Sequence, residues 1–391
     1  MELVQRDKCF TSGACGACVA ACQHDAISTE IVDGFLYPVI NQDICVDCGL
    51  CKRACPAESS VRSDVVPTLY AFQHQDEHTV EKSSSGAAFT ALSDAVLAQG
   101  GVIVGAVLDA DNVVRHHVVD SAAERDAMRG AKYVQSDMSG IYALIAKEIR
   151  EQRRPVLFTG TPCQAEAVRT YCEARRLDLT DVYLCALVCH GASSPLVLKD
   201  YLRNLEEVAQ GDVTDINFRN KQHGWRHNRM TAQVGDEERF MEAYSALFYS
   251  KLCNSRACFA CPFTSVMRNC DITMGDFWSI QKFDEGYAEG AGVSMLLTHT
   301  QKGEELVRAC AKEGDLKRVE YDPHTDSLQS ALTKPYGKPL EYDLFWQDYR
   351  KLRFSQIEKK YTGLHAFDRV RRLVRRKLLA LRLKRGAKGS K

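Results

Sequence analysis

Cys45-Val46-Asp47-Cys48-Gly49-Leu50-Cys51-Lys52-Arg53-Ala54-Cys55-Pro56 spaces its cysteines as C-x2-C-x2-C-x3-C-P, the run that a cubane iron–sulfur cluster requires of a short loop. Three thiolates of such a run wrap one cluster, and the fourth, leaving on a helix, reaches a different one. A second run must therefore exist. Cys9, Cys15, Cys18 and Cys22 stand upstream as C-x5-C-x2-C-x3-C.

The upstream run carries three extra residues, which the permissive backbone of Ser12-Gly13 can absorb in a bulge. In a two-cluster ferredoxin the ligands cross over. Cys9, Cys15, Cys18 and Cys55 are therefore assigned to one 4Fe-4S cluster, and Cys45, Cys48, Cys51 and Cys22 to the other. Paired structural zinc sites are the alternative, because C-x2-C pairs also suit zinc. Two quartets each ending in x3-C favour clusters. The repeat delimits a bacterial-type dicluster ferredoxin domain over residues 1–62.

Seventeen cysteines in 391 residues are many for a cytosolic enzyme unless most hold metal, and the expected compartment is reducing. The longest apolar run, near Gly101 to Leu108, is too short to span a membrane, and Met1-Glu2-Leu3 starts no signal peptide. A cytoplasmic protein is expected. An apolar fraction of 45% is enough for ordinary packed cores, and the length suggests two or three domains. The zero net charge hides an asymmetry: Arg369 to Lys391 carries 11 Lys or Arg and no acid, so the preceding residues sum to −11.

After a polar linker near Ser59 to Asp64, an α/β region begins at about Pro67. Ser83-Ser84-Ser85-Gly86 offers hydroxyl caps to a helix over Ala87 to Ala98, which Gly100-Gly101 ends. Val102 to Leu108 and Val113 to Val119 read as a hairpin. Strand Val156 to Thr159 leads to a helix from about Gln164, and strand Val182 to Val188 to a helix from about Pro195, so a largely parallel sheet is expected. Cys163 and Cys189 then sit at carboxyl ends of strands, where open α/β sheets bind ligands. With Cys258-Phe259-Ala260-Cys261-Pro262 they complete a set for a third 4Fe-4S cluster. The competing reading makes Cys163 and Cys189 packed thiols and joins Cys258 and Cys261 to Cys253 and Cys270 around zinc. Spacing alone leaves both open.

Lys82 to Gly86, Ala131 to Ser136, Gly160-Thr161-Pro162-Cys163-Gln164, Cys189-His190-Gly191, Phe218-Arg219-Asn220-Lys221 with Gly224-Trp225, and Cys258 through Asp271-Ile272-Thr273-Met274-Gly275-Asp276-Phe277-Trp278 together resemble the coenzyme F420 hydrogenase/dehydrogenase beta-subunit family, in family order from about residue 66 to 300. The resemblance implies an iron–sulfur flavoprotein oxidoreductase that passes electrons between clusters and FAD, to or from an organic acceptor. It implies that Cys163, Cys189, Cys258 and Cys261 are cluster ligands. No G-x-G-x-x-G or P-loop offers another nucleotide site. For FAD the resemblance points to Ser84, Ser85 and Gly86, at a helix start where free N–H groups can take a pyrophosphate. It also points to Lys132, Tyr133, Gln135 and Ser136, and to Arg219 and Asp276. Simple N-capping by the serines, a solvated Lys132, a surface loop around Arg219, Lys221, His223 and Trp225, and turn chemistry at Asp271 and Asp276 are the plainer alternatives. The chain departs from the pattern in having Gly86-Ala87 where two glycines are usual. No Ser-His-Asp or H-E-x-x-H arrangement competes, and no catalytic side chain is singled out.

The expected architecture is α/β and α+β multidomain: the ferredoxin domain (1–62), an α/β flavoprotein core in two parts (66–195 and 196–350), and a basic helical tail (351–391). In the tail, Val370, Leu373, Val374, Leu378 and Leu381 recur at helical spacing among arginines. Such a helix suits peripheral contact with an anionic membrane or the chain's own acidic body. Nucleic acid is not expected, since no aromatics interleave with the arginines. Expected partners are an electron donor, such as a ferredoxin or a redox subunit, and a small-molecule or carrier acceptor that is deazaflavin-like or glycan-related. An electron-transfer subunit of a larger redox complex, and a non-enzymatic metal-binding scaffold, are the alternative functions.

Overall fold

The computed structural model describes residues 9, 15–59, 63–227, 229–284, 287, 291–323, 328–364, 370, 372–374 and 376–377. The Phe10 to Ala14 insertion, the middle of the proposed linker and most of the basic tail lie outside them. Helix α1 (Ala17–Ala21) is followed by the hairpin β1 (Ile27–Val32) and β2 (Phe35–Ile40) and by α2 (Leu50–Arg53). Asp33 and Gly34 both take positive φ, 55° and 77°, as a two-residue hairpin turn requires. The two cysteine runs fold alike: Gly16 and Gly49, each inside a C-x2-C pair, adopt φ 62° and 73° and start α1 and α2.

The central region runs through β3 (Thr68–His74), α3 (Glu77–Glu81), α4 (Ala88–Leu97), β4 (Val102–Leu108), β5 (Val114–Val119), α5 (Ala122–Arg125), α6 (Ile141–Lys147), β6 (Val156–Gly160), α7 (Pro162–Ala174), β7 (Val182–Leu187) and α8 (Pro195–Ala209). It continues with β8 (Val213–Asn220), β9 (Arg229–Val234), β10 (Glu237–Phe240), α9 (Glu242–Tyr249), β11 (Ile272–Asp276), β12 (Ser294–Thr298), α10 (Gln301–Ala309), β13 (Gly314–Val319), α11 (Tyr342–Tyr349) and α12 (Phe354–Tyr361). Eight strands form one sheet in the order β13-β3-β12-β11-β7-β6-β4-β5. Only β4, β6, β7 and β11 run parallel; β5, β12, β3 and β13 join antiparallel. The expectation of a largely parallel sheet is thus corrected to a mixed one, because buried strands read as apolar runs whatever their direction.

Both faces of the sheet are covered, and alternate residues of each strand go to opposite sides. Ile103, Leu157 and Cys185 pack with Ala88, Ala91, Leu92 and Val96 of α4 and Leu306 and Val307 of α10. Val102, Val104, Val156, Phe158, Val182 and Leu184 pack with α6 and α7. That second layer also takes in Cys15, Ala17, Ala21 and Ala54, so the N-terminal module shares a core with α7. Thr170 of α7 donates to the Ala54 carbonyl at 2.8 Å. A smaller sheet, β10-β9-β8, packs with α8, α9, α11 and α12 around Phe218, Tyr244, Phe345 and Tyr361.

Of the basic tail, residues 370, 372–374 and 376–377 are helical, and Arg372 pairs with buried Glu341 at 3.2 Å. The rest of that helix lies outside the described residues. Among the described residues no helix is long and apolar enough to cross a membrane.

The serine caps do not form. Helix α4 starts from Ala87, held at φ 66° with no side-chain cap, while the Ser83 hydroxyl donates to Thr79, Ser84 accepts from the Ala131 N–H and Ser85 donates to Val293. The chain enters the helix too tightly for them, because a Cβ on Gly86 would lie 2.3 Å from the Phe72 carbonyl oxygen. Left-handed backbone costs a residue with a Cβ roughly 1–2 kcal/mol, more than the roughly 0.5–1 kcal/mol entropic cost of glycine. Ala87→Gly should therefore raise the thermal midpoint by a few degrees, whereas Gly86→Ala should lower it, as read by calorimetry. A lower midpoint for Ala87→Gly would contradict this reading of the helix start.

Candidate redox centres and cofactor cleft

Each strand of the parallel centre ends near one cleft. Thr159 and Gly160 of β6, Leu187 of β7 and Met274 to Asp276 of β11 form its floor, in a cavity of about 370 Å³. This is the carboxyl edge at which open α/β sheets bind ligands. A more polar cavity of about 300 Å³, lined by Asn217, Asn220 and Lys221, shares Ser83, Ser84, Gly130 and Arg219 with it. Of the sequence candidates, Ser84, Ser85, Lys132, Tyr133, Ser136, Arg219 and Asp276 line the main cavity. Gly86 and Gln135 are not among its lining residues, and Gln135 is buried with its N–H on the Ser193 carbonyl at 2.9 Å.

Arg219 is buried rather than on a surface loop. It pairs with Asp276 and lies over the Trp278 ring at 5.1 Å, and Trp278 stacks on Trp225 at 4.5 Å. The Trp225 Nε1–H donates to Asp276 at 2.7 Å. The Arg219 Nε and one Nη are buried with no hydrogen-bond partner among the described residues, an arrangement that asks for an acceptor. Asp276 is the only carboxylate among the described lining residues, against Arg129, Lys132 and Arg219, so the wall favours an anion. His223 is exposed and not among the lining residues of either cavity. Asp271 is structural, accepting from the Leu184 N–H at 2.8 Å and the Thr300 hydroxyl at 2.7 Å.

Sequence reasoning passed over His116, whose only signal is a polar residue on a β-branched strand. Its ring stacks on Phe158 at 5.4 Å, and its Nε2 meets the Thr159 carbonyl at 3.1 Å. A carbonyl can only accept, so Nε2 carries the proton and Nδ1, buried and unpartnered among the described residues, is left as an acceptor. Burial lowers the His116 pKa to about 4, so the ring is neutral.

None of the four core thiols lines the cavity, but Cys163 and Cys189 are flanked in sequence by its lining residues Thr161, Gln164, Val188 and His190. Cys163 opens α7, whose first turn is closed by Gln164 accepting from the Thr161 N–H at 3.0 Å. Burial pushes the Cys163 thiol well up, and Cys261, Cys189 and Cys258 push it further, which places all four within electrostatic reach. Cys258 and Cys261 rise to about 12 and about 11, first through burial. The Gly191 N–H donates to the Cys189 sulfur at 3.4 Å, and Thr161 contacts the Cys163 sulfur at 3.2 Å. Buried Arg268, another residue that sequence reasoning missed, donates to the carbonyls of Phe263, Ser265 and Leu187 and adds a positive charge beside Cys189, Cys261 and Cys163. Cys253 and Cys270 instead interact with Lys251 and Arg268, so the alternative zinc quartet is not assembled. Among the described residues no three His, Cys, Asp or Glu are arranged to hold a metal ion; a cubane sets its thiolates wider apart than one tetrahedral ion does.

In the N-terminal module, burial and then Cys15, Cys9 and Cys55 raise the Cys18 thiol, which sets those four together. Burial likewise raises Cys51, with contributions from Cys48 and Cys22, and Cys22, Cys45, Cys48 and Cys51 line one hollow. The fold thus groups the cysteines as crossing ligands would require.

Two stretches match known families. Residues 153–324 match the family model for the C terminus of the coenzyme F420 hydrogenase/dehydrogenase beta subunit, and residues 8–59 match the 4Fe-4S dicluster domain. One F(420)H(2) dehydrogenase subunit from Methanosarcina mazei is 24% identical over 225 residues, 55% of this chain and 62% of that protein. The chain therefore aligns with less than two thirds of that relative's length. A structure of the F420-reducing [NiFe] hydrogenase complex from Methanosarcina barkeri, derivatised with xenon, aligns with 76% of this chain and 92% of its own at a TM-score of 0.46 and 17% identity.

Half-buried Lys132 gives a test of the cleft. Its amine donates to the carbonyls of Ala127 and Arg129 at 3.1 and 2.8 Å, and burial lowers its pKa to about 7. The unfolded chain would hold this proton between pH 7 and about 10.4 and the fold would not, so stability should rise with pH across that window. Competitive labelling of the protein with acetic anhydride should show Lys132 titrating near pH 7. A midpoint near 10 would mean that the amine reaches solvent.

Proposed function

Because residues 153–324 match the model for the C terminus of the coenzyme F420 hydrogenase/dehydrogenase beta subunit and residues 8–59 match a 4Fe-4S dicluster domain, we propose that the chain is a member of that family and an iron–sulfur flavoprotein oxidoreductase acting on an organic acceptor. Cys9, Cys15, Cys18 and Cys55 would hold one cluster, Cys22, Cys45, Cys48 and Cys51 a second, and Cys163, Cys189, Cys258 and Cys261 a third. The single observation that carries the reading is the convergence of the last four thiols, two of them next in sequence to residues that line a cleft with orphaned Arg219 donors. When bound, the clusters supply one-electron transfer and FAD supplies the change to two-electron hydride chemistry.

The residues present suit both groups. Buried thiols with raised pKa values hold their protons until metal binds, so cluster assembly must release them. Gly191 and Thr161 then donate toward sulfur, and Arg268 offsets thiolate charge. In the cleft, Arg129, Lys132 and Arg219 favour the pyrophosphate, the unpartnered His116 Nδ1 can accept from a ring N–H, and Ser84 and Ser85 flank the entrance of α4. Tyr249 offers a flat face for an aromatic acceptor, and a deazaflavin is the class suggested by the name of the M. mazei relative. A glycan-related acceptor is the competing class.

A role as the electron-transfer subunit of a larger redox complex has its own support. Ile44 and Val46, on either side of Cys45 and close in sequence to exposed Cys48, are 47% and 59% exposed, apolar side chains that the core of a redox-partner interface could cover.

Anaerobically purified protein should hold about twelve irons, four per cubane, and release about one FAD per chain on heating. Cys163→Ser should remove about four irons and leave both module quartets filled. An unchanged iron count in that variant, or a supernatant free of flavin, would overturn the assignment. Reoxidation of the dithionite-reduced protein by a deazaflavin, and not by glycan-linked acceptors, would settle the substrate class.

A further inference from the structure

Tyr142 of α6 occupies the seam between the N-terminal module and the sheet. It is 1% exposed and packs in one apolar cluster with Cys15, Ala17 and Ala54 on one side and Ala165 and Val168 of α7 on the other. A Cβ on Gly16 would lie 4.0 Å from its ring, and its ring meets Tyr171 with centroids 4.7 Å apart. Its hydroxyl is buried with no hydrogen-bond partner among the described residues, a costly state for a hydroxyl unless a ligand completes it. Burial pushes the phenol pKa well up, and Cys15, Cys18, Cys172 and Cys163 push it the same way. The hydroxyl is thus an unpartnered donor packed in the cluster that holds Cys15, with Cys18 and Cys163 within electrostatic reach. In the first quartet Cys9, Cys15 and Cys18 are buried and Cys55 is half-buried; in the second only Cys51 is buried, Cys22 and Cys45 are half-buried and Cys48 is exposed.

We propose that Tyr142 donates its O–H to a sulfur of the cluster held by Cys9, Cys15, Cys18 and Cys55, and that this is the inner station facing Cys163. The cluster at Cys22, Cys45, Cys48 and Cys51 is then the outer station, where electrons enter or leave the chain. The inference rests on the cluster assignments above. In the internal step one electron leaves the reduced inner cluster, which is oxidised, and reduces the cluster at Cys163. No bond breaks and the phenol keeps its proton. Tyr142 is a positioning residue: a hydrogen bond to cluster sulfur is one of the levers that set reduction potential, and losing a donor disfavours the more negative, reduced state.

EPR-monitored redox titration of the holoprotein tests this. Tyr142→Phe should keep the full iron count and shift one module cluster negative, so that its reduced-to-oxidised ratio at fixed poise falls about tenfold, or 59 mV for one electron. The other module cluster should not move. A soluble dysprosium chelate should broaden the unshifted cluster's signal and spare the shifted one. Electron–nuclear double resonance of the unmutated protein in H2O and D2O should show an exchangeable proton on the spared cluster, which keeps the test decisive if the variant fails to fold. Unshifted potentials in a folded variant, absence of that proton, or broadening of the shifted cluster would overturn the proposal. An iron total near eight with the Tyr142 shift intact would instead remove the third cluster and keep the hydrogen bond.

Discussion

Helix α7 satisfies two demands at once. Its first turn sets Cys163 between Thr161 and Gln164, which line the cleft and close the turn. Its flank buries Ala165, Val168 and Tyr171 against α6 and against Ala17, Ala21 and Ala54 of the N-terminal module. Because these groups share one apolar cluster, the separation between the module's cysteines and Cys163 is fixed by close packing rather than left to a linker. Every proposed transfer of an electron from module to cleft depends on that distance being held.

The second constraint is charge in a low-dielectric interior. The twelve thiols proposed as cluster ligands, which would ionise on binding metal, are mostly buried or half-buried, and burial raises their pKa values wherever a shift is resolved. Metal ions, backbone N–H groups and the Arg268 guanidinium are what make thiolates tolerable there. The cleft shows the same logic with the opposite sign. Arg129, Lys132 and Arg219 outnumber Asp276, and Arg219 keeps two donors unpartnered. Such a wall gains most when an anionic ligand arrives.

Local spacing made much of this legible. The C-x2-C pairs with glycine inside them, the β4–β5 hairpin, and the strand–loop–helix units ending at Cys163 and Cys189 could all be read because each is decided within about ten residues. The assembly of Cys163, Cys189, Cys258 and Cys261 came from family resemblance, since residues up to 98 positions apart meet only through the register of β6, β7 and β11. Strand direction was misread because both sheet faces are covered and the apolar runs carry no sign of it. The serine caps failed for a tertiary reason: strand β3 and Gly292 crowd Gly86 and turn Ala87 into the left-handed region. Tyr142 and Arg268 left no signal and His116 only a polar residue on a β-branched strand, because a polar group in a core is meaningful only once its surroundings are seen.

A coulometric reductive titration of the anaerobic holoprotein tests most directly whether this one chain carries electrons from module to cleft. The account predicts about five electrons per chain, one for each of three cubanes and two for the flavin, with the broad cluster absorption and the flavin band both bleaching. Uptake of about two electrons with no flavin band would contradict it, leaving a dicluster carrier whose cleft serves another ligand.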